Sequence, residues 1–123
     1  VLTSTPEQLQ MLLFDGAIRF CDQARLALEQ KNYEVSYNTL SRAQKILLEL
    51  NAGLKPDVAP ELCANLRSLY LWCYKQLVDA NVQRDKKPVE DVLAILRYQR
   101  ETWALLLEKL GRRNAGTVAK NID

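Results

Sequence analysis

Apolar residues recur along the chain in four long runs, spaced three and four apart. Short stretches rich in Gly, Pro, Asn and Lys separate them. That spacing predicts helices, because each residue advances about 100° and positions three or four apart share a face. The first run opens at Thr5-Pro6-Glu7-Gln8. Thr5 can serve as N-cap, Pro6 suits the first helical position and Gln8 completes a capping box, which predicts a helix over about 6–30. Lys31-Asn32 breaks it, and Asn32 caps a second helix over 33–52. In "NAGLKPDVAP", Gly53 is placed to end that helix in the left-handed conformation, and Pro56 and Pro60 bar its continuation. Pro60 then starts a third helix, 60–83. After "RDKKP" a fourth helix is expected over 88–110, stopped by Gly111, with an aperiodic tail at 112–123.

The inward faces follow from the same periodicity. Helix one offers Leu9, Leu13, Ala17, Phe20, Ala24 and Leu28; helix two offers Leu40, Ala43, Leu47, Leu50 and Leu54. Helix three offers Leu62, Leu66, Leu69, Tyr70, Cys73, Leu77 and Ala80; helix four offers Val89, Val92, Leu96, Trp103, Leu107 and Leu110. Four amphipathic helices with short links predict an all-α fold, one antiparallel four-helix bundle domain over 1–123. Gly16 sits on the border of the first face, where a missing side chain lets a neighbouring helix approach. Asp15 is one turn before Arg19, in the i,i+4 arrangement of an ion pair. Arg97 and Arg100 are placed to pair with Glu101 or Asp79, and Trp103 to anchor the lower core.

Composition narrows the function. With 48% hydrophobic and 26% charged residues the chain is globular rather than disordered. A net charge of +2 is too mild for a nucleic-acid partner, and no run is long enough to insert in a membrane. There are 3 cysteines, none in C-x-x-C spacing, which argues against a disulfide scaffold and for a reduced, cytosolic compartment. Cys63 and Cys73 read as small buried hydrophobes.

The chain has 0 histidines, which removes the Glu-x-x-His metal bundles and any Ser-His or Cys-His nucleophile. Haem ligation would rest on Met11 or a cysteine, and no Gly-rich loop is present to cradle phosphate. No catalytic residue, metal or cofactor is expected.

Apolar residues are left over once the core rows are filled. Leu71, Val78 and Val82 form a stripe on helix three away from its inward face, flanked by Arg67 and Lys75. Ile95 and Tyr98, with Thr102, Leu105 and Leu106, form a second face on helix four. Met11, Phe14 and Ile18 do the same on helix one. Such rows predict a partner-binding surface: Leu71, Val78 and Val82 first, then Ile95 and Tyr98, with Phe14 and Ile18. A groove between helices suits the apolar face of a partner helix, and the same surface would alternatively make a symmetric homodimer.

Four segments together resemble the FliS family of flagellar export chaperones. "TPEQLQMLLFDGAIRFCDQA" is similar to the family's first helix at Thr5, Glu7, Leu9, Leu13, Asp15, Gly16, Ala17 and Ile18. "LSRAQKILLELNAGL" resembles its second. "NLRSLYLWCYKQLVDANVQRD" resembles its third at Asn65, Leu66, Leu69, Tyr70, Leu77, Ala80, Asn81 and Asp85. "VLAILRYQRETW" resembles the ending of its fourth at Thr102 and Trp103. The resemblance implies a cytosolic bundle that binds the C-terminal segment of flagellin, keeps it unpolymerised and assists its delivery to components of the flagellar export apparatus. It also implies a tyrosine-containing N-terminal arm ahead of Thr5, and it places Phe14 where the family usually carries Tyr.

Overall fold

The computed structural model describes the backbone of residues 5–122 and the side chains of residues 5–113. Local chemistry starts each helix. Helix α1, Pro6–Glu29, is capped by Thr5, whose Oγ1 accepts from the Gln8 amide at 3.1 Å while the Thr5 amide donates to Gln8 Oε1 at 3.0 Å. Helix α2, Tyr33–Ala52, begins at Asn32, whose Oδ1 accepts from the Val35 amide. Helix α3, Pro60–Gln83, opens on its proline, and helix α4 runs Lys87–Ile122.

Two turns differ from expectation. Gly53 closes α2 with right-handed geometry, φ −78°. Among the described residues the left-handed ones are Lys31 and Arg84, at φ 58° and 53°. Arg84 ends α3, and its guanidinium lies 4.0 Å above the centre of the Tyr33 ring, so a cation–π contact anchors an otherwise disfavoured conformation.

Helix α4 also outruns its predicted end. Gly111 lies within the helix, because no proline follows it and its φ is not positive. Glu108 and Arg112, an i,i+4 ion pair, bracket it. At 36 residues, α4 is about 54 Å long against about 36 Å for the 24 residues of α1, so its C-terminal part overhangs the bundle.

The helices form a ring in chain order. Helix α1 packs on α2 and α4, α3 packs on the same two, and the pairs α1/α3 and α2/α4 are diagonal. Neighbours run antiparallel. On the α1/α2 side, Gly16 meets Ile46, and Arg42 lies over the Phe20 ring. On the α1/α4 side, Trp103 Nε1 donates to the Glu7 carbonyl at 2.8 Å, while at the other end Lys86 reaches Glu29 at 3.1 Å. Gly16 serves as expected: a Cβ there would lie 3.1 Å from Ile46 Cδ1.

The core joins Phe14, Ala17, Cys21, Leu40, Leu47, Leu50, Tyr70, Cys73, Leu77, Val89, Val92 and Leu96. Each large aliphatic side chain among them contributes about 1.5–3 kcal/mol by leaving water. Buried Ser36 and Thr39 bond carbonyls of their own helix, so their hydroxyls are satisfied.

Helix one is rotated slightly from its predicted phase. Phe14 is only 2% exposed, deep in the core, and Cys21 and Ala27 join it, whereas Leu9 is 51% exposed. More than half of this helix is apolar, so periodicity alone did not select among several adjacent faces. Phe14 therefore offers no partner surface, and Ile18 is half-buried against the core.

Candidate partner-binding surface

The α1/α4 seam is closed by charge. Arg97 donates to Asp22 at 2.9 and 3.1 Å, Arg100 Nε donates to Asp15, and Glu29 receives Lys86. These pairs replace those expected from sequence: Asp15 bonds Arg100 rather than Arg19, and Arg97 and Arg100 turn to α1 rather than to Glu101 or Asp79. Asp15 also raises the pKa of the Arg100 guanidinium, first through its hydrogen bond and then through its charge. Leu93 is buried on the same side of α4 as these arginines.

Helix α3 has no such closure. Among the described residues no ion pair joins it to α2 or α4. Its outward residues are apolar: Leu71 is 49% exposed and Val82 78%, with Val78 and Trp72 also exposed.

The ring fixes which seam each residue borders. Arg42 and Ile46 mark the α1 side of α2, and Arg97 and Arg100 the α1 side of α4. Advancing 100° per right-handed residue then puts Tyr37 and Leu48 on the α3 side of α2, and Ile95 and Leu106 on the α3 side of α4. By the same construction Leu71 and Val78 flank the α2/α3 seam, and Trp72 flanks the α3/α4 seam.

The sequence-predicted residues are thus not one patch. Leu71, Val78 and Val82 stand together as a stripe along one flank of α3. Ile95, half-buried, and Tyr98, exposed, lie across its other flank. Exposed Leu106, part of the face expected on α4, and exposed Tyr37 and Leu48, which lie outside the expected faces, extend these apolar lips. Their signal was present in the angular position of Tyr37 and Leu48, about 120–140° from Ala43 and away from the polar face around Arg42.

A cavity of about 590 Å³ opens at the end of the bundle where α1 begins. Leu9, Leu13, Leu54, Val58, Leu62 and Leu66 line it, with Trp103 beside them. This explains Leu9 and Leu62, which the helical pattern assigns to the core: they point inward, but the packing there is open, and both remain exposed.

The thiols are structural. Cys21, Cys63 and Cys73 are buried and free. Burial, foremost, pushes Cys21 and Cys73 each up to about 12, with the charge of Cys73 adding to the effect at Cys21. At neutral pH both are protonated and unreactive. Among the described residues no cluster of metal-binding side chains occurs, and no helix is long and apolar enough to cross a membrane.

Known proteins are similar to this chain along most of its length. The family model described as flagellar protein FliS matches residues 1–110. The flagellar secretion chaperone FliS of Bacillus subtilis strain 168 is 31% identical over 121 residues, covering 97% of this chain and 90% of that protein. The protein of the same name in Salmonella typhimurium is 34% identical over 110 residues, 89% of this chain and 82% of that protein. That of Escherichia coli K12 is 31% identical over 104 residues, 84% and 76%. With a matching family model over nearly the whole chain and relatives covered along most of their length, this chain belongs to the FliS family of non-enzymatic flagellar secretion chaperones.

Proposed function

We propose that this chain is a cytosolic export chaperone that binds the C-terminal helical segment of flagellin along the outer flanks of α3. The observation that carries this reading is the exposed apolar stripe Leu71, Val78 and Val82 on α3, a helix that, like α2, has no interhelical ion pair among the described residues. A flagellin terminal segment buries its apolar face in the filament and lacks that burial before assembly. The α3 flanks substitute for the missing neighbours, because a groove between helices accepts the apolar face of a third. Leu71, Val78 and Val82 supply the first contact, and Ile95 and Tyr98 extend it onto α4. Ile18, half-buried on α1, is peripheral to it. Binding of this kind needs no ATP, and release to the export apparatus follows from competition for the bound segment.

Calorimetric titration with a flagellin C-terminal fragment tests the proposal. Leu71→Lys with Val78→Lys is expected to keep the helical melt and lose at least tenfold in affinity. Full affinity in a folded double variant would overturn it. The same stripe supports self-association as the competing reading. A dimer that persists in light scattering across a dilution series, and that does not bind the fragment, would favour that reading.

A further inference from the structure

A second surface lies at the outer α1/α2 seam, away from α3. Two arginines share one ring there: the guanidinium of Arg19 lies 5.2 Å, and that of Arg42 5.5 Å, from the centre of Phe20. Neither meets a carboxylate among the described residues, whereas Arg25, Arg97, Arg100 and Arg112 all do. The reason is geometric. Asp15, the natural i,i+4 partner of Arg19, is engaged by Arg100 from α4. Phe20, half-buried against the core, fixes the position of both cations without neutralising either.

Apolar residues extend this pair in both directions. Leu12 and Leu26 on α1 are exposed, as is Val35 on α2. The α1 side of α2, marked by Arg42 and Ile46, recurs at Val35, and Leu12, about 80° round α1 from Phe20, borders the seam from the other helix, whereas Leu26, about 40° from Asp22, lies on the α4 side. By the register that sets Gly16 against Ile46, Val35 stands level with Ala27, about 22 Å along α1 from Leu12, the length of about four helical turns.

We infer that the α1/α2 seam is a docking surface for an acidic amphipathic helix of a partner protein. Its carboxylates would meet Arg19 and Arg42, and its apolar ends would cover Leu12 at one end and Val35 at the other. The helix is favoured over a phosphate backbone because exposed leucine and valine flank the cations, and a solvated phosphate chain gains nothing from them. The seam is distinct from the α3 flanks, so both surfaces can be occupied together.

The probe is a synthetic helical peptide of about four turns, with leucines at both ends and two glutamates one turn apart between them. Its twin carries glutamine for each glutamate. Calorimetry should show binding of the first peptide, at least tenfold weaker binding of its twin, and an equal loss in the Arg19→Glu/Arg42→Glu variant. Arg19→Lys/Arg42→Lys, which keeps the charge and guards against a folding artefact, should retain most of the affinity. Leu71→Lys/Val78→Lys should leave peptide binding unchanged, which separates this surface from the proposed flagellin site. Equal affinity for the two peptides would overturn the inference. So would loss of binding in the α3 variant, or capture of anionic lipid vesicles without binding of the peptide.

Discussion

The α1/α4 seam and the outer flank of α3 sit on the same bundle and are finished in opposite ways. Along α1/α4, carboxylates at Asp15, Asp22 and Glu29 meet Arg100, Arg97 and Lys86, so that paired charge bridges the joint along its length. Along α3, the equivalent outward positions are Leu71, Val78 and Val82, and the charges nearby in sequence, Arg67 and Lys75, have no ion-pair partner among the described residues. Surface pairs of the α1/α4 kind contribute only about 0–1 kcal/mol each. Their effect is better understood as closing a seam against other chains than as holding the fold together. A flank without them is left able to bind.

The largest expected change comes from pH, and it isolates the core beneath both regions. Cys21 and Cys73 are raised to about 12 in the fold and ionise near 9 when unfolded. Tyr70, raised to about 12 mainly by burial, acts in the same direction. Their contribution to stability is fully present below about pH 9 and is lost as pH rises towards 12, because the unfolded chain releases protons that the folded one retains. Circular dichroism melts from pH 8 to 11 should show a falling midpoint. A flat profile would contradict the assigned burial.

Truncation contrasts the two regions directly. Leu96→Ala, in the core beneath α4, should cost about 2–5 kcal/mol in urea unfolding. Leu71→Ala on the α3 flank should change stability by less than about 0.5 kcal/mol. A similar cost for both would mean that Leu71 is packed rather than available.

Gly16→Val should be intermediate, at about 1–3 kcal/mol, since even its Cβ would press on Ile46 and close the α1/α2 approach. Smallest is Asp22→Asn, which removes the acceptor charge for Arg97 and should cost no more than about 1 kcal/mol, with the difference shrinking in high salt. A salt-independent cost would show that the residue is held by something other than charge.

Much of the fold was legible because its signals are local. The capping box at Thr5 and Gln8, the cap at Asn32 and the prolines at 60 and 88 act within one turn of themselves. What spans the bundle was not legible. Asp15 has a plausible partner four residues away, and only the position of α4 shows that Arg100 takes it. Phe14 and Leu9 exchange roles because helix one is apolar over several adjacent faces, and its final rotation is set by what α2 and α4 accept. The end of α4 was missed because glycine stops a helix only when it turns left-handed, and Gly111 does not. For the candidate surface, the stripe on α3 could be read from its seven- and four-residue spacing. That its neighbours Tyr37, Leu48 and Trp72 belong to two different seams needed the order of the helices.

The central claim is that the flank of α3, and not the closed α1/α4 seam, meets flagellin. Photo-crosslinking tests it most directly, with a photoreactive residue placed at Val82 on the α3 flank or at Ala94 beside the α1/α4 arginines, both exposed. With a flagellin C-terminal fragment bound, the account predicts a crosslinked product from position 82 and little from position 94. Crosslinking from position 94 alone would contradict it.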